Sequence, residues 1–167
     1  MSVDRLVVCA VSLVMVAALP QAQVRIERLP PLQYTEIVQG ASADVGHWGD
    51  GRVYVIDLWG TWCAPCIRTI PELTLLQQKY KDRGLVVVGY SWEDPARVQA
   101  LMTKMGDRMR YTLVNDRQER FLKVVAEERE LVEGFPFTFV IDRRGEVAWA
   151  GVPDASLGAV VAKVLAR

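Results

Sequence analysis

Two cysteines stand with two residues between them in Trp59-Gly60-Thr61-Trp62-Cys63-Ala64-Pro65-Cys66, a spacing at which both thiols fall within one turn of backbone. A pair so placed can close into a disulfide and open again by thiolate exchange, which needs one attacking thiol of lowered pKa and a second thiol near enough to resolve the mixed disulfide. Two elements must position it. Val53-Tyr54-Val55-Ile56-Asp57-Leu58-Trp59 is short, apolar and rich in β-branched and aromatic residues, and reads as a buried strand. A helical pattern follows the cysteines. With Cys63 at the N-cap of that helix, its sulfur faces the unpaired N–H of Cys66 and the positive end of the helix dipole, and both favour thiolate. Pro65 is tolerated in the first turn, where an N–H has no helical partner.

Composition narrows the function further. The chain of 167 residues suits one domain plus an appendage, and 20 Lys+Arg balance 20 Asp+Glu with no basic stripe, so nucleic-acid binding has no electrostatic support. Three cysteines are too few for a disulfide framework, and Cys9 falls within an apolar run from Leu6 to Leu19. That run, preceded by Arg5 and followed by Pro20-Gln21-Ala22, makes residues 1–22 a secretory signal peptide or an N-terminal membrane anchor; a buried cytoplasmic element is the other reading. Cys9 is read as a plain hydrophobe. The only histidine, His47, lies in a polar, Gly-rich loop without a local catalytic signature, which speaks against Cys-His and Ser-His-Asp hydrolysis.

The remaining segments supply a scaffold. Residues 23–52 form an N-terminal extension with a short edge strand from Leu32 to Val38, and residues 53–167 form the main domain. Ile70, Leu73, Leu76, Gln77 and Tyr80 give an imperfect helical stripe containing Pro71, ended by Asp82-Arg83-Gly84. Leu85 to Tyr90 is a continuous apolar run suited to a central strand, and Asp94-Pro95 opens a helix that Gly106 closes. A strand is expected over 111–114, a helix over about 118–131, a hairpin from 137–141 and 146–150, and a last helix with Leu157, Val160, Val161, Val164 and Leu165 on one face, capped by Asp154 or Ser156. Strands alternating with helices and closed by a hairpin and a helix call for an α/β three-layer sandwich around a mixed sheet.

The set Trp62-Cys63-Ala64-Pro65-Cys66, Asp57 six residues before the first cysteine, Pro71 five after the second, and Gly134-Phe135-Pro136 before a hairpin resembles the thioredoxin superfamily. The apolar N-terminus and Phe137-Thr138-Phe139-Val140-Ile141-Asp142-Arg143-Arg144-Gly145 are similar to its extracytoplasmic, TlpA-like branch of thiol-disulfide reductases, some of which serve cytochrome c maturation. The resemblance spans about residues 53–167. It implies a thioredoxin-like fold, a redox-active Cys63–Cys66 disulfide, no bound cofactor or metal, protein thiols and disulfides as substrates, a membrane or soluble electron donor, a monomer, and a location outside the cytosol.

A carboxyl in a buried strand has its pKa raised by desolvation, which suits Asp57 to move a proton to or from Cys66; the alternative is a solvated strand end that merely tolerates it. In the family the proline matching Pro136 is cis and lies against the cysteines, with the backbone beside it pairing an extended substrate; a rigid turn is the plain alternative. Trp62 and Phe135 join Pro136 as substrate-binding candidates, Phe135 being bulkier than the residue common there. Thr69 stands where many TlpA-like sequences carry glutamate. Rival functions are a metal (copper) carrier using Cys63, Cys66 and His47, and a peptide-binding module with an inert structural disulfide, although a loop so small gains little from closure. A peroxide-reducing enzyme would want Thr three residues before the cysteine, and Thr61 is two before Cys63.

Overall fold

The computed structural model describes residues 28–40, 45–128, 132 and 134–167. The apolar segment at 1–22 lies outside them, and among the described residues no helix is long and apolar enough to cross a membrane. Six strands, β1 (Glu36–Gln39), β2 (Val53–Leu58), β3 (Leu85–Ser91), β4 (Thr112–Asn115), β5 (Phe137–Ile141) and β6 (Val147–Gly151), form one sheet in the order β1-β4-β3-β2-β5-β6. The β2/β3 and β3/β4 pairs are parallel and the other three antiparallel, giving the mixed sheet of a thioredoxin-like α/β fold.

Helices α1 (Ala64–Tyr80), α2 (Pro95–Met105) and α4 (Leu157–Leu165) cover one face of the sheet, where Ile70, Leu73, Val98 and Val161 pack on Val53, Val55 and Val87. The other face packs against Phe121 of the short helix α3 (Arg120–Leu122) and Val125 of a following π-helical turn, Lys123–Glu128. Strand β2 is buried at all six positions because it is covered on both faces, which is why its sequence is an apolar run rather than an alternation.

Most elements lie within a residue or two of their sequence-based positions. Asp94 caps α2 by accepting from the Ala96 N–H at 2.8 Å, and Gly84 ends the turn after α1 in the left-handed conformation at φ 85°. Two expectations change. The helix expected over 118–131 is broken into a three-residue α turn and a π turn, and residues 129–131 lie outside the described ones. Asp116, buried at the end of β4, accepts from the backbone N–H of Arg120 at 2.8 Å and thereby draws that region into a tight start. The edge strand at Glu36–Gln39 also pairs with β4, and Leu29, Leu32 and Val45 are buried, so the segment that composition sets apart as an extension contributes to the sheet and to its core.

Strand β4 begins opposite Val88, leaving the first residues of β3 without a strand on that side. Gln77 of α1 takes the place of one: its amide donates to Leu85 O at 3.0 Å and accepts from the Val87 N–H at 2.6 Å. The periodicity of α1 places Gln77 on the apolar face, and its job there is to pair strand backbone. Gln77→Leu, which keeps the volume and removes both bonds, is expected to lower stability by about 1–3 kcal/mol in urea unfolding while leaving thiol-disulfide exchange intact.

Candidate active site

The end of β2 and the start of α1 are joined by Trp59-Gly60-Thr61-Trp62-Cys63, a turn closed by the Cys63 N–H donating to Gly60 O at 3.1 Å. Cys63 is the N-cap of α1, and its sulfur accepts from the Cys66 N–H at 3.2 Å, as the spacing predicts. Cys63 and Cys66 form a disulfide with Cα atoms 5.2 Å apart. Both cysteines are buried, Cys63 retaining 3 % exposure and Cys66 none. When the pair is reduced, the same N–H and helix terminus are in place to stabilise a Cys63 thiolate.

Several side chains hold this turn. Thr61 donates its hydroxyl to Glu93 Oε1 at 2.8 Å and its backbone N–H to Oε2 of the same carboxylate. Glu93 follows β3, and its carbonyl accepts from Asn115 Nδ2 at 2.9 Å, so the ends of β3 and β4 are tied to the turn before Cys63. Thr69 donates to Cys66 O at 2.8 Å, which engages its hydroxyl with the helix backbone. Sequence reasoning missed Glu93; its only local signal is a carboxylate just before the helix cap Asp94.

The aromatic side chains divide by depth. Trp62 is 60 % exposed and folds over Gly60, where a Cβ would come within 2.6 Å of the indole nitrogen. Its ring stands edge-on to Phe135 at 5.9 Å, and Phe135 packs on Trp92 at 4.8 Å. Trp92 was not anticipated as part of the site. The Phe135-Pro136 peptide is cis and Pro136 is buried, matching what the family resemblance implies. The structure thus brings Trp62, Phe135 and Trp92 into one apolar patch beside the disulfide. His47 is exposed in its loop, and among the described residues no group of three or more His, Cys, Asp or Glu side chains is arranged to hold a metal.

Asp57 is fully buried, so the strand end is not solvated at this position. Strand pairing puts Thr138 directly beside it, and the Thr138 hydroxyl donates to Asp57 Oδ1 at 2.6 Å. Burial dominates over that hydrogen bond and pushes the carboxyl up to about 7. Thr138 is legible only from the register of β5 on β2, which no local pattern encodes.

These features frame the comparisons with known proteins. The Redoxin family profile matches residues 27–165. The chain belongs to the Redoxin family. It is 32% identical over 98 residues to the thiol-disulfide oxidoreductase ResA of Geobacillus kaustophilus (strain HTA426), covering 58% of this chain and 52% of that protein. It is 30% identical over 99 residues to the thiol:disulfide interchange protein HelX of Rhodobacter capsulatus, with 59% and 51% covered. The chain therefore spans about half the length of the curated relatives it matches. A crystal structure of a thioredoxin-family thiol:disulfide interchange protein from Chlorobium tepidum TLS superposes with a TM-score of 0.64 at 23% identity, over 83% of this chain and 97% of that one. That likeness bears on the fold, which is thioredoxin-like.

The raised carboxyl has a thermodynamic consequence. The carboxyl takes up a proton more readily in the folded protein, with a pKa of about 7, than at its ordinary value of 3.8, so its contribution is complete below about pH 4 and is lost as pH rises through 7. The oxidised protein is expected to lose on the order of a few kcal/mol between about pH 4 and pH 8 from this group. Asp57→Asn should remove that slope in pH-dependent denaturant unfolding, and be more stable than the wild type at pH 8; a slope that survives the substitution assigns it to other groups.

Proposed function

We propose that this protein is a thiol-disulfide oxidoreductase that reduces protein disulfides outside the cytosol through Cys63 and Cys66. The observation that carries the reading is the Cys63–Cys66 disulfide at the N-cap of α1, with the Cys63 sulfur on the Cys66 N–H and Cys63 the less deeply buried of the two. The names of the ResA and HelX relatives support the same reaction class.

In this reading the reduced enzyme presents Cys63 as thiolate, which attacks one sulfur of a substrate disulfide and releases the other as thiolate. The mixed disulfide is resolved when the Cys66 thiol loses its proton to Asp57 and attacks the Cys63 sulfur, expelling the substrate's second thiolate. Two electrons pass from the enzyme dithiol to the substrate, leaving Cys63–Cys66 oxidised. A carboxyl held near pH 7 suits this step, because it can both take and give a proton at neutral pH. The patch of Trp62, Phe135 and Trp92 supplies apolar contact beside the sulfur, and the backbone at Pro136 lies where an extended substrate strand would run. Phe135, wedged against both tryptophans, shapes that surface by filling it. The substrate class is protein disulfides, with cytochrome c maturation as the setting its resemblance suggests. The chain works as a monomer without a bound cofactor, is exported or anchored by its N-terminal apolar segment, and is kept reduced by a dedicated membrane or soluble donor.

Cys66→Ser is expected to accumulate mixed disulfides with partner proteins through Cys63, visible as reducible high-mass species on non-reducing gels. Trapping by Cys63→Ser in its place would reverse the two roles.

The direction of exchange depends on the potential of the pair. Ala64-Pro65 between the cysteines differs by one methyl from the Gly-Pro of thioredoxin, and no histidine lies between them to hold a thiolate. Equilibration against glutathione buffers, followed by tryptophan fluorescence, is expected to give roughly −200 to −280 mV, near thioredoxin at about −270 mV. A value near −120 mV would make the protein an oxidase.

A further inference from the structure

Among the described residues four buried side-chain polar atoms have no hydrogen-bond partner, and three of them, Asp57 Oδ2, Trp59 Nε1 and the Tyr111 hydroxyl, gather on one side of the sheet, the fourth being Asn115 Oδ1. Strand register explains their meeting. Leu113, Gly89, Asp57 and Thr138 form a row across β4, β3, β2 and β5, and alternation points the row at the face covered by α1, α2 and α4. Gly89 leaves a gap in that row. A Cβ there would lie 2.9 Å from Trp59 Nε1, 3.0 Å from Tyr111 Cε2 and 2.7 Å from Leu113 Cδ2, so the indole N–H and the phenol ring occupy the space directly beside Asp57. Neighbouring strand positions are about 5 Å apart, which puts both side chains within reach of the carboxyl. The chemistry is complementary. A phenol hydroxyl and an indole N–H are donors, a carboxylate oxygen is an acceptor, and leaving all three unpaired in the core is costly. Three such atoms are also the usual partner set of one internal water.

We infer that Tyr111 is a positioning residue for Asp57: its hydroxyl, together with the Trp59 indole N–H, reaches the free Oδ2 through one internal water, and so governs when Asp57 holds its proton. The inference rests on the reading of Asp57 as the proton carrier for Cys66. Among the described residues the other group bonded to the carboxyl on this face is the Thr138 hydroxyl, on Oδ1. Arg68 and Lys79 of α1, Arg97 and Lys104 of α2 and Lys163 of α4 are exposed, and Glu72 of α1 is half-buried, so no buried cation faces the carboxylate from the covering helices. Proximity acts on both partners, since the Asp57 charge adds to burial in pushing the Tyr111 phenol well above its ordinary range. Donors to the charged form favour ionisation, so a Tyr111 hydroxyl acting on Oδ2 pulls against desolvation, in the same direction as the Thr138 hydroxyl on Oδ1.

Carboxyl-detected NMR of the oxidised full chain, labelled at aspartate and tyrosine, tests this. Tyr111→Phe removes one oxygen and is expected to raise the Asp57 midpoint by about half a pH unit or more. In the wild-type protein the Tyr111 Cζ resonance should titrate with the Asp57 midpoint, which needs no variant to fold. A Tyr111→Phe midpoint equal to that of the wild type, or a Cζ resonance blind to Asp57, overturns the inference. The disulfide-reduction profile of the same variant should move its half-maximal pH upward with the midpoint. Asp57→Asn separates the two readings: if its turnover equals that of the wild type, Asp57 has no catalytic part, while the Tyr111 midpoint still decides whether the contact exists.

Discussion

An acidic side chain sits in the most deeply buried strand of this protein, and the arrangement around it follows from that constraint. An ionised carboxylate removed from water is stable only if it is paired, bonded or neutralised. No buried cation faces Asp57 from the covering helices; a single threonine hydroxyl serves one oxygen, and the proton itself becomes the counter-charge at neutral pH. Every neighbour of the group is therefore consequential. Thr138 holds Oδ1 through strand register, Gly89 opens the adjoining row, and Trp59 and Tyr111 bring donors into the opening. A glycine in a central strand loses packing and favours the unfolded chain, yet any larger residue at position 89 would displace the two aromatic side chains.

The cysteine pair has a separate foundation. Its geometry is local: the N-cap, the proline in the first turn and the Cys66 N–H belong to four consecutive residues, and none depends on distant strands. Local determination explains why this portion was legible in the sequence. The strand-to-helix switch, Asp94-Pro95 at α2, Gly84 and the amphipathic α4 are likewise fixed by residues close in the chain, where capping and periodicity act.

What was not legible depends on pairing between distant segments. Thr138 meets Asp57 across 81 positions, and Glu93 meets Thr61 across 32, so their roles follow from strand register and order. Gln77 looked like a member of an apolar stripe, because periodicity says which face a side chain occupies but not that a neighbouring strand starts late and leaves backbone to satisfy. The same limit applies to the segment before Val53. Its edge strand was legible, although it lies at Glu36–Gln39 rather than from Leu32 to Val38; that Glu36, Ile37 and Gln39 pair with β4, some 75 positions away in the chain, was not. The segment expected as a helix over 118–131 is helical from Arg120 to Glu128, but it starts where the buried Asp116 carboxylate takes the Arg120 N–H and it passes from an α turn into a π turn.

The aromatic residues connect the two foundations. Tyr90 lies in β3 with its ring 5.4 Å from Phe121 and 6.4 Å from Trp92, Trp92 contacts Phe135, and Phe135 contacts the exposed Trp62. Rings in successive contact carry the rigidity of the sheet outward, because each is held at offset or edge geometry by the next. A bulky residue before Pro136 is therefore a structural link as well as a groove wall: Phe135 bridges Trp92, at the end of the central strand, to Trp62, one residue from the sulfur. On the opposite face of the same strands, the Asp57 row, with its Thr138 hydroxyl, faces the core that α1 and Cys66 help to form. The proposed chemistry thus has a dry, aromatic side that meets the partner and a buried, titratable side that handles the proton, and β2 and β3 separate them by nothing more than the alternation of side chains along a strand.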